Sequence, residues 1–104
     1  MVAYVFRFEI DPAKAEEYGQ LVQSVVPRVM KAPGLKEFRV YRPVTGTSQV
    51  VAMYEFADLA GFATWWADAD VQKVFAELRP YQMHREGELW GASAAFPTPL
   101  RPGG

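Results

Sequence analysis

The stretch VAYVFRFEI, residues 2–10, does most to restrict what this chain can fold into. Val2, Tyr4, Phe6, Phe8 and Ile10 alternate with Ala3, Val5, Arg7 and Glu9. A period of two over nine residues is a strand with one strongly apolar face, and such a face has to be covered by a second layer. The pattern then switches at once. In DPAKAEEY, Asp11 suits a helix N-cap and Pro12 the first helical position. Tyr18, Leu21, Val22, Val25, Val29 and Met30 recur at helical spacing as an apolar stripe. Pro27 lies inside that stripe, removes a backbone donor and crowds the preceding turn, so the sequence predicts a kink or break between Gln23 and Val26. KAPG then ends the segment.

Two further alternating runs, LKEFRVYR (35–42) and SQVVAMYEFA (48–57), flank the turn sequence PVTGT and predict a hairpin over 35–57. Asp58 is placed to cap a helix from Leu59 to about Leu78. An interruption is expected near Asp68 to Asp70, with Asp70 capping the second piece, and Arg79-Pro80 as the stop. QMHREGELWGAS (82–93) reads as a last strand in which Gly87 and Gly91 permit a bulge or close backbone approach. The order is β-α-β-β-α-β. It predicts an α+β, ferredoxin-like domain over residues 1–93, with a four-stranded antiparallel sheet and its helices on one face. AAFPTPLRPGG, 94–104, is a Pro/Gly-rich C-terminal tail.

That architecture leaves the other sheet face without helices. It would carry Val5, Tyr41, Val51 and Met53 among Arg7, Glu9, Glu37, Arg39 and Glu55, which is not a plainly solvent-like set. Half of the 104 residues are hydrophobic, with seven Phe, five Tyr and three Trp, more apolar bulk than a small monomer easily hides. A homodimer with two sheets face to face, or an internal pocket, would use the excess.

A formal net charge of −1 without a basic block argues against a nucleic-acid partner. No apolar run approaches the ~20 residues of a membrane span, so no membrane partner is expected. The chain begins directly as a strand rather than as a secretory signal, which makes the cytoplasm the expected location. The absence of cysteine removes thiolate nucleophiles and cysteine metal sites. With a single histidine no metal site is expected. There is also no Gly-rich phosphate loop, serine nucleophile elbow or HExxH.

APGLKEFRVYRP (32–43) and VVAMYEFADLAGFATWWADADVQKVFAEL (50–78) carry a resemblance. In order and spacing, the chain resembles the dimeric α/β-barrel superfamily over roughly residues 2–93, and in particular domains like the antibiotic biosynthesis monooxygenases. The first stretch looks like that family's helix-end Pro-Gly and second strand, and the second like its third strand, acidic turn and segmented helix. The resemblance implies a ferredoxin-like protomer, a homodimeric barrel and a pocket between sheet and helices. It also implies, for several relatives, metal- and flavin-free chemistry on aromatic, polyketide-like molecules. Haem-degrading relatives use an Asn, a Trp and a His together; this chain has no Asn.

The candidate residues follow from chemistry. His84 is the one side chain whose ordinary pKa lies near neutrality, and Tyr81 stands three residues before it, so the pair is the candidate for proton transfer. The alternative is an exposed strand histidine and a tyrosine packing the helix end. Phe62, Trp65, Trp66 and Phe75 place aromatic area on the second helical region as the candidate wall for a planar ligand. Trp65 and Trp66 differ by about 100° around a helix, so one is expected in the core and the other at a pocket or an edge. Arg7 is either a ligand anchor or one of a set of paired charges on the outer sheet face. The expected function is a small cofactor-independent enzyme, of monooxygenase or cyclase type, acting on a small aromatic or apolar molecule. A non-catalytic ligand-binding or accessory protein of the same fold is the competing reading. No cofactor is expected.

Overall fold

In the computed structural model, residues 1–46 and 49–103 are described; Thr47 at the end of the expected hairpin turn and Ser48 at the expected strand start lie outside the described residues. Strand β1 spans Val2–Ile10. Asp11 accepts a hydrogen bond from the Ala13 amide at 3.0 Å and starts a short 3₁₀ turn, Pro12–Lys14. Helix α1 follows over Ala15–Lys31, then β2 (Leu35–Tyr41), β3 (Val50–Phe56), α2 (Leu59–Trp66) and α3 (Ala69–Leu78). A second 3₁₀ turn, Arg79–Tyr81, leads into β4, Gln82–Trp90. The described residues beyond Trp90 carry no helix or strand and are exposed.

The sheet is four-stranded in the order β2-β3-β1-β4, with every neighbouring pair antiparallel. This is the expected ferredoxin-like arrangement. Tyr4 lies opposite Tyr54 and Phe6 opposite Ala52. The inward side chains of β1 and β3 meet Tyr18, Val25 and Val29 of α1, and Val71, Val74, Phe75 and Leu78 of α3, in one buried cluster. Among the described residues, no helix is long and apolar enough to cross a membrane.

Two expectations about the helices are corrected. Helix α1 runs unbroken through Pro27. A proline inside a helix costs about 3 kcal/mol, but Val25 and Val29 on either side are both buried, so tertiary packing holds the helix together. The interruption between α2 and α3 falls where expected, but its cap is Asp68, not Asp70. The Asp68 carboxylate accepts from the amides of Asp70 and Val71 at 2.9 and 3.1 Å. Asp70, within the first turn of α3, instead accepts from the Arg28 guanidinium of α1 at 2.6 and 3.0 Å.

Glycine is required where α2 meets the start of β2. Gly34 has φ +101°, and a Cβ there would collide with the Gly61 carbonyl. This close approach seats the first turn of α2, capped by Asp58 through the Gly61 amide at 2.8 Å, against the sheet edge. It also sets how deeply Trp65 descends.

Candidate functional site

An apolar cavity of about 200 Å³ lies between α1 and the sheet. Its floor is Phe6 and Phe8 of β1, Phe38 and Val40 of β2, and Val50, Ala52 and Tyr54 of β3; Tyr18, Val22 and Val26 of α1 form the roof. Phe75, Leu78 and Gln82 close one end. The alternation in β1, β2 and β3 and the helical stripe of α1 bring these side chains together, because each element turns its apolar face to the same space.

Its polar groups are few. Gln82, 8% exposed, donates from Nε2 to the Tyr18 hydroxyl at 3.3 Å. Its Oε1 accepts from Arg85 Nε at 3.3 Å. Tyr54, 7% exposed, lines the cavity with no hydrogen bond to its hydroxyl among the described residues. Burial raises the pKa of both phenols; for Tyr18 the hydrogen bond from Gln82 offsets part of that rise. Both are therefore protonated donors at neutral pH.

The expected site residues divide between this cavity and two other places. Phe75 is in the wall. Trp65 and Trp66 stand behind it, with ring centroids 5.9 and 5.6 Å from Phe75. Trp65 is 0% exposed and its indole N–H donates to the Val29 carbonyl at 3.3 Å; it is the core member of the pair. Trp66 is 37% exposed and stacks on Phe62 at 5.6 Å, with Tyr4 beneath it at 5.1 Å. Phe62, Trp65 and Trp66 do not contribute to the lining of this cavity, because it runs under α1 while they fill the space under α2. Tyr81 packs against Tyr18 at 6.0 Å and receives the Lys14 ammonium over its ring at 5.8 Å, one layer outside the wall.

His84, the proton-transfer candidate, is not in this cavity and takes the place of the alternative, an exposed strand histidine. Glu9 pairs with Met83 and Arg7 with Glu86, so Phe8 alone opposes both His84 and Arg85. This is a β-bulge, and His84 takes the left-handed conformation, φ 53°, that it requires. The consequence is that His84 leaves the alternation: its imidazole lies against the Glu9 carboxylate on the outer face, with its side chain 78% exposed. Arg85 goes to the inner face, its guanidinium 5.4 Å from the Phe6 ring centroid. Arg7 is also on the outer face, bonded to Glu88 at 2.5 Å and 5.7 Å over the Trp90 ring. Val5 is fully buried beside this layer without belonging to the helix-side cluster. Among the described residues, no group of three or more acidic, histidine or cysteine side chains is gathered as a metal site.

Sequence reasoning placed Tyr18 in the α1 stripe but not in a site, and passed over Gln82. The available signal was a polar residue at a strand position whose partner, Ile10, faces inward.

Fold and cavity together define a ferredoxin-like domain with an apolar pocket between its sheet and first helix. A family model, antibiotic biosynthesis monooxygenase, matches residues 1–78, and the chain belongs to that family. No curated protein sequence is significantly similar to it. Solved structures share the fold. An antibiotic biosynthesis monooxygenase superposes with a TM-score of 0.72 at 15% identity, over 89% of this chain and 99% of its own. SnoaB from Streptomyces nogalater, a cofactor-independent oxygenase solved as an N63A mutant, gives 0.72 at 22%, over 93% and 97%. A conserved protein from Methanosarcina mazei gives 0.71 at 17%, over 86% and 89%.

Proposed function

We propose that the protein binds a planar, largely apolar aromatic molecule of polyketide type in the cavity under α1 and oxygenates it without a bound cofactor. The observation that carries this reading is the cavity itself: apolar walls, with Tyr18, Tyr54 and Gln82 as its polar lining. Membership of a monooxygenase family and the fold shared with SnoaB support it. Without a cofactor, the substrate supplies the electrons. A bound phenolate or enolate reacts with O2, a ring CH2 becomes C=O, and the second oxygen atom leaves as water. The protein's part is to exclude water, hold the ring and stabilise the substrate's oxyanion through phenol donors. No near-neutral base is among the lining residues and the expected proton carrier, His84, lies on the outer face, so the substrate gives its proton to solvent, enters ionised, and a solvent proton completes the water that leaves.

Oxygen uptake and ¹⁸O incorporation with hydroxylated polycyclic substrates test the reading, using chelator-treated protein. Ala52→Leu, which fills the cavity floor, is the blocked control. Uptake above the uncatalysed rate that disappears in the blocked variant is the expected result. The absence of a near-neutral titrating group in this wall favours a second reading, a non-catalytic binding protein. Ligand binding that Ala52→Leu abolishes, with no oxygen uptake, would establish that reading instead.

A further inference from the structure

The cavity's polar end has a direction. Arg85 Nε is a donor only, so the Gln82 atom that meets it at 3.3 Å must be the amide oxygen. That fixes the other end of the amide, Nε2, toward Tyr18, to whose hydroxyl it donates at 3.3 Å. An amide nitrogen cannot accept in return, so the Tyr18 O–H hydrogen cannot point at Gln82. Tyr18 is one of the residues that line the apolar cavity, and its O–H is left to donate to a group other than Gln82. Tyr54 adds a second phenol to the same wall and is nine-tenths buried.

The origin of this arrangement is the bulge in β4. A non-glycine residue in the left-handed region is strained and persists only where its surroundings impose it. Here the strained residue is His84, and its effect is to bring Arg85 to the inner face, one alternation out of phase with regular pairing. Arg85 reaches both the Phe6 ring and the Gln82 amide from there. Without the bulge the Gln82 amide would lose the donor that sets its orientation.

We infer that Tyr18, turned by the Arg85–Gln82 pair, is a specificity-determining donor that selects ligands carrying a hydrogen-bond-accepting oxygen, a ring carbonyl or phenolate, over hydrocarbons of the same shape. Gln82 and Arg85 are positioning residues in this arrangement. The inference rests on the cavity being the ligand site and specifies the ligand class that site takes. Both phenols stay protonated across neutral pH because burial raises their pKa, so the donor is present under ordinary conditions.

A matched pair of planar probes tests it. 9-Fluorenone and fluorene share three fused rings and differ by one carbonyl oxygen. Their dissociation constants are measured by quenching of tryptophan fluorescence and by calorimetry. The wild-type protein is expected to bind fluorenone roughly tenfold more tightly, the usual scale for one buried hydrogen bond left unmade. In Tyr18→Phe the preference disappears while fluorene affinity is unchanged. In Gln82→Met the preference shrinks, again with fluorene unaffected. The infrared carbonyl stretch of bound fluorenone should lie at lower wavenumber in the wild type than in Tyr18→Phe, a readout that a purely structural role would not move. Equal binding of both probes by the wild type refutes the inference and leaves the cavity reading standing. An undiminished fluorenone preference in Tyr18→Phe refutes it equally. If neither probe binds, the cavity reading falls and takes this inference with it.

Discussion

Trp65→Ala and Trp66→Ala should differ sharply in stability although the residues are adjacent. Trp65 is 0% exposed, and its ring lies 4.8 Å from Tyr54, 5.2 Å from Phe56 and 5.9 Å from Phe75. Truncating it removes roughly 200 Å² of buried surface. At about 25 cal/mol per Å² this corresponds to ~5 kcal/mol, the upper end of the 3–5 kcal/mol range typical of buried aromatic truncations. The lost indole hydrogen bond adds little, because the Val29 carbonyl also accepts from the Ala32 amide. Trp66 already leaves 37% of its surface in water, so the same arithmetic on the remainder gives about 3 kcal/mol, an upper value because its ring lies at the open edge of the cluster.

Urea unfolding followed by far-UV circular dichroism, which does not depend on the deleted fluorophores, gives both values. In a domain of this length each kcal/mol moves the melting temperature by roughly 4–6 °C. Trp65→Ala should therefore melt some tens of degrees lower or fail to fold, while Trp66→Ala remains folded. Equal losses in the two variants, or a loss below about 1.5 kcal/mol for Trp65→Ala, would show that Trp65 is not the packing centre between α2 and the sheet.

Light scattering at micromolar concentration should give twice the chain mass. The outer sheet face carries the half-exposed Tyr41 and Trp90 beside the Arg7–Glu88 pair, a surface suited to a second copy; a monomer would refute this. Purified protein should lack stoichiometric metal, flavin and haem by elemental analysis and absorbance, and a reproducible flavin or haem spectrum would move the function toward a cofactor enzyme. Glu55→Gln should raise the melting temperature at neutral pH. Desolvation and then the neighbouring Glu37 raise the Glu55 pKa above its ordinary 4.5, so the folded state is favoured by its protonated form, an advantage fully present below that value and lost as pH rises through the folded pKa. The gain from the substitution should vanish in acid; a gain independent of pH would rule out this cause.

The architecture was legible because strict alternation and helical spacing leave little freedom. Val2 to Ile10 and Val50 to Phe56 each bury the side that their pattern marks, and the strand order follows from packing the two helical segments on that side. The division of labour between the tryptophans was legible only as a difference in direction. The 100° between them says that they part, but which one descends depends on how closely Gly34 and Gly61 let α2 approach. The position of the cavity was not legible, because Phe62, Trp65, Trp66 and Phe75 drew the expected pocket wall to the second helical region, and only Phe75 lines the cavity. Helix α1, continuous through Pro27 with Val25 and Val29 buried, roofs the space over the sheet.

The face that His84 takes has a physical cause that period-two counting misses. Period-two reasoning assigns a face to every strand residue by counting from any one of them, and a single bulge reverses the count for everything beyond it. Counting from Gln82, whose partner Ile10 faces inward, regular alternation puts His84 inside and Arg85 outside. The extra residue exchanges them. Gly87, past the bulge, is then back in register opposite Phe6, and its missing side chain leaves room for the Tyr4 hydroxyl. An exposed histidine thus stands at the strained position in β4, and the bulge it makes brings a guanidinium to the cavity end. Replacing His84 by Gly removes the strain and should keep the bulge, stabilising the protein with ligand selectivity intact. Replacing it by the β-branched Val opposes the left-handed conformation and should both destabilise the fold and erase the preference for fluorenone over fluorene, because Arg85 would no longer hold the Gln82 amide. If His84→Val kept that preference, the bulge would not be what orients the cavity's polar end.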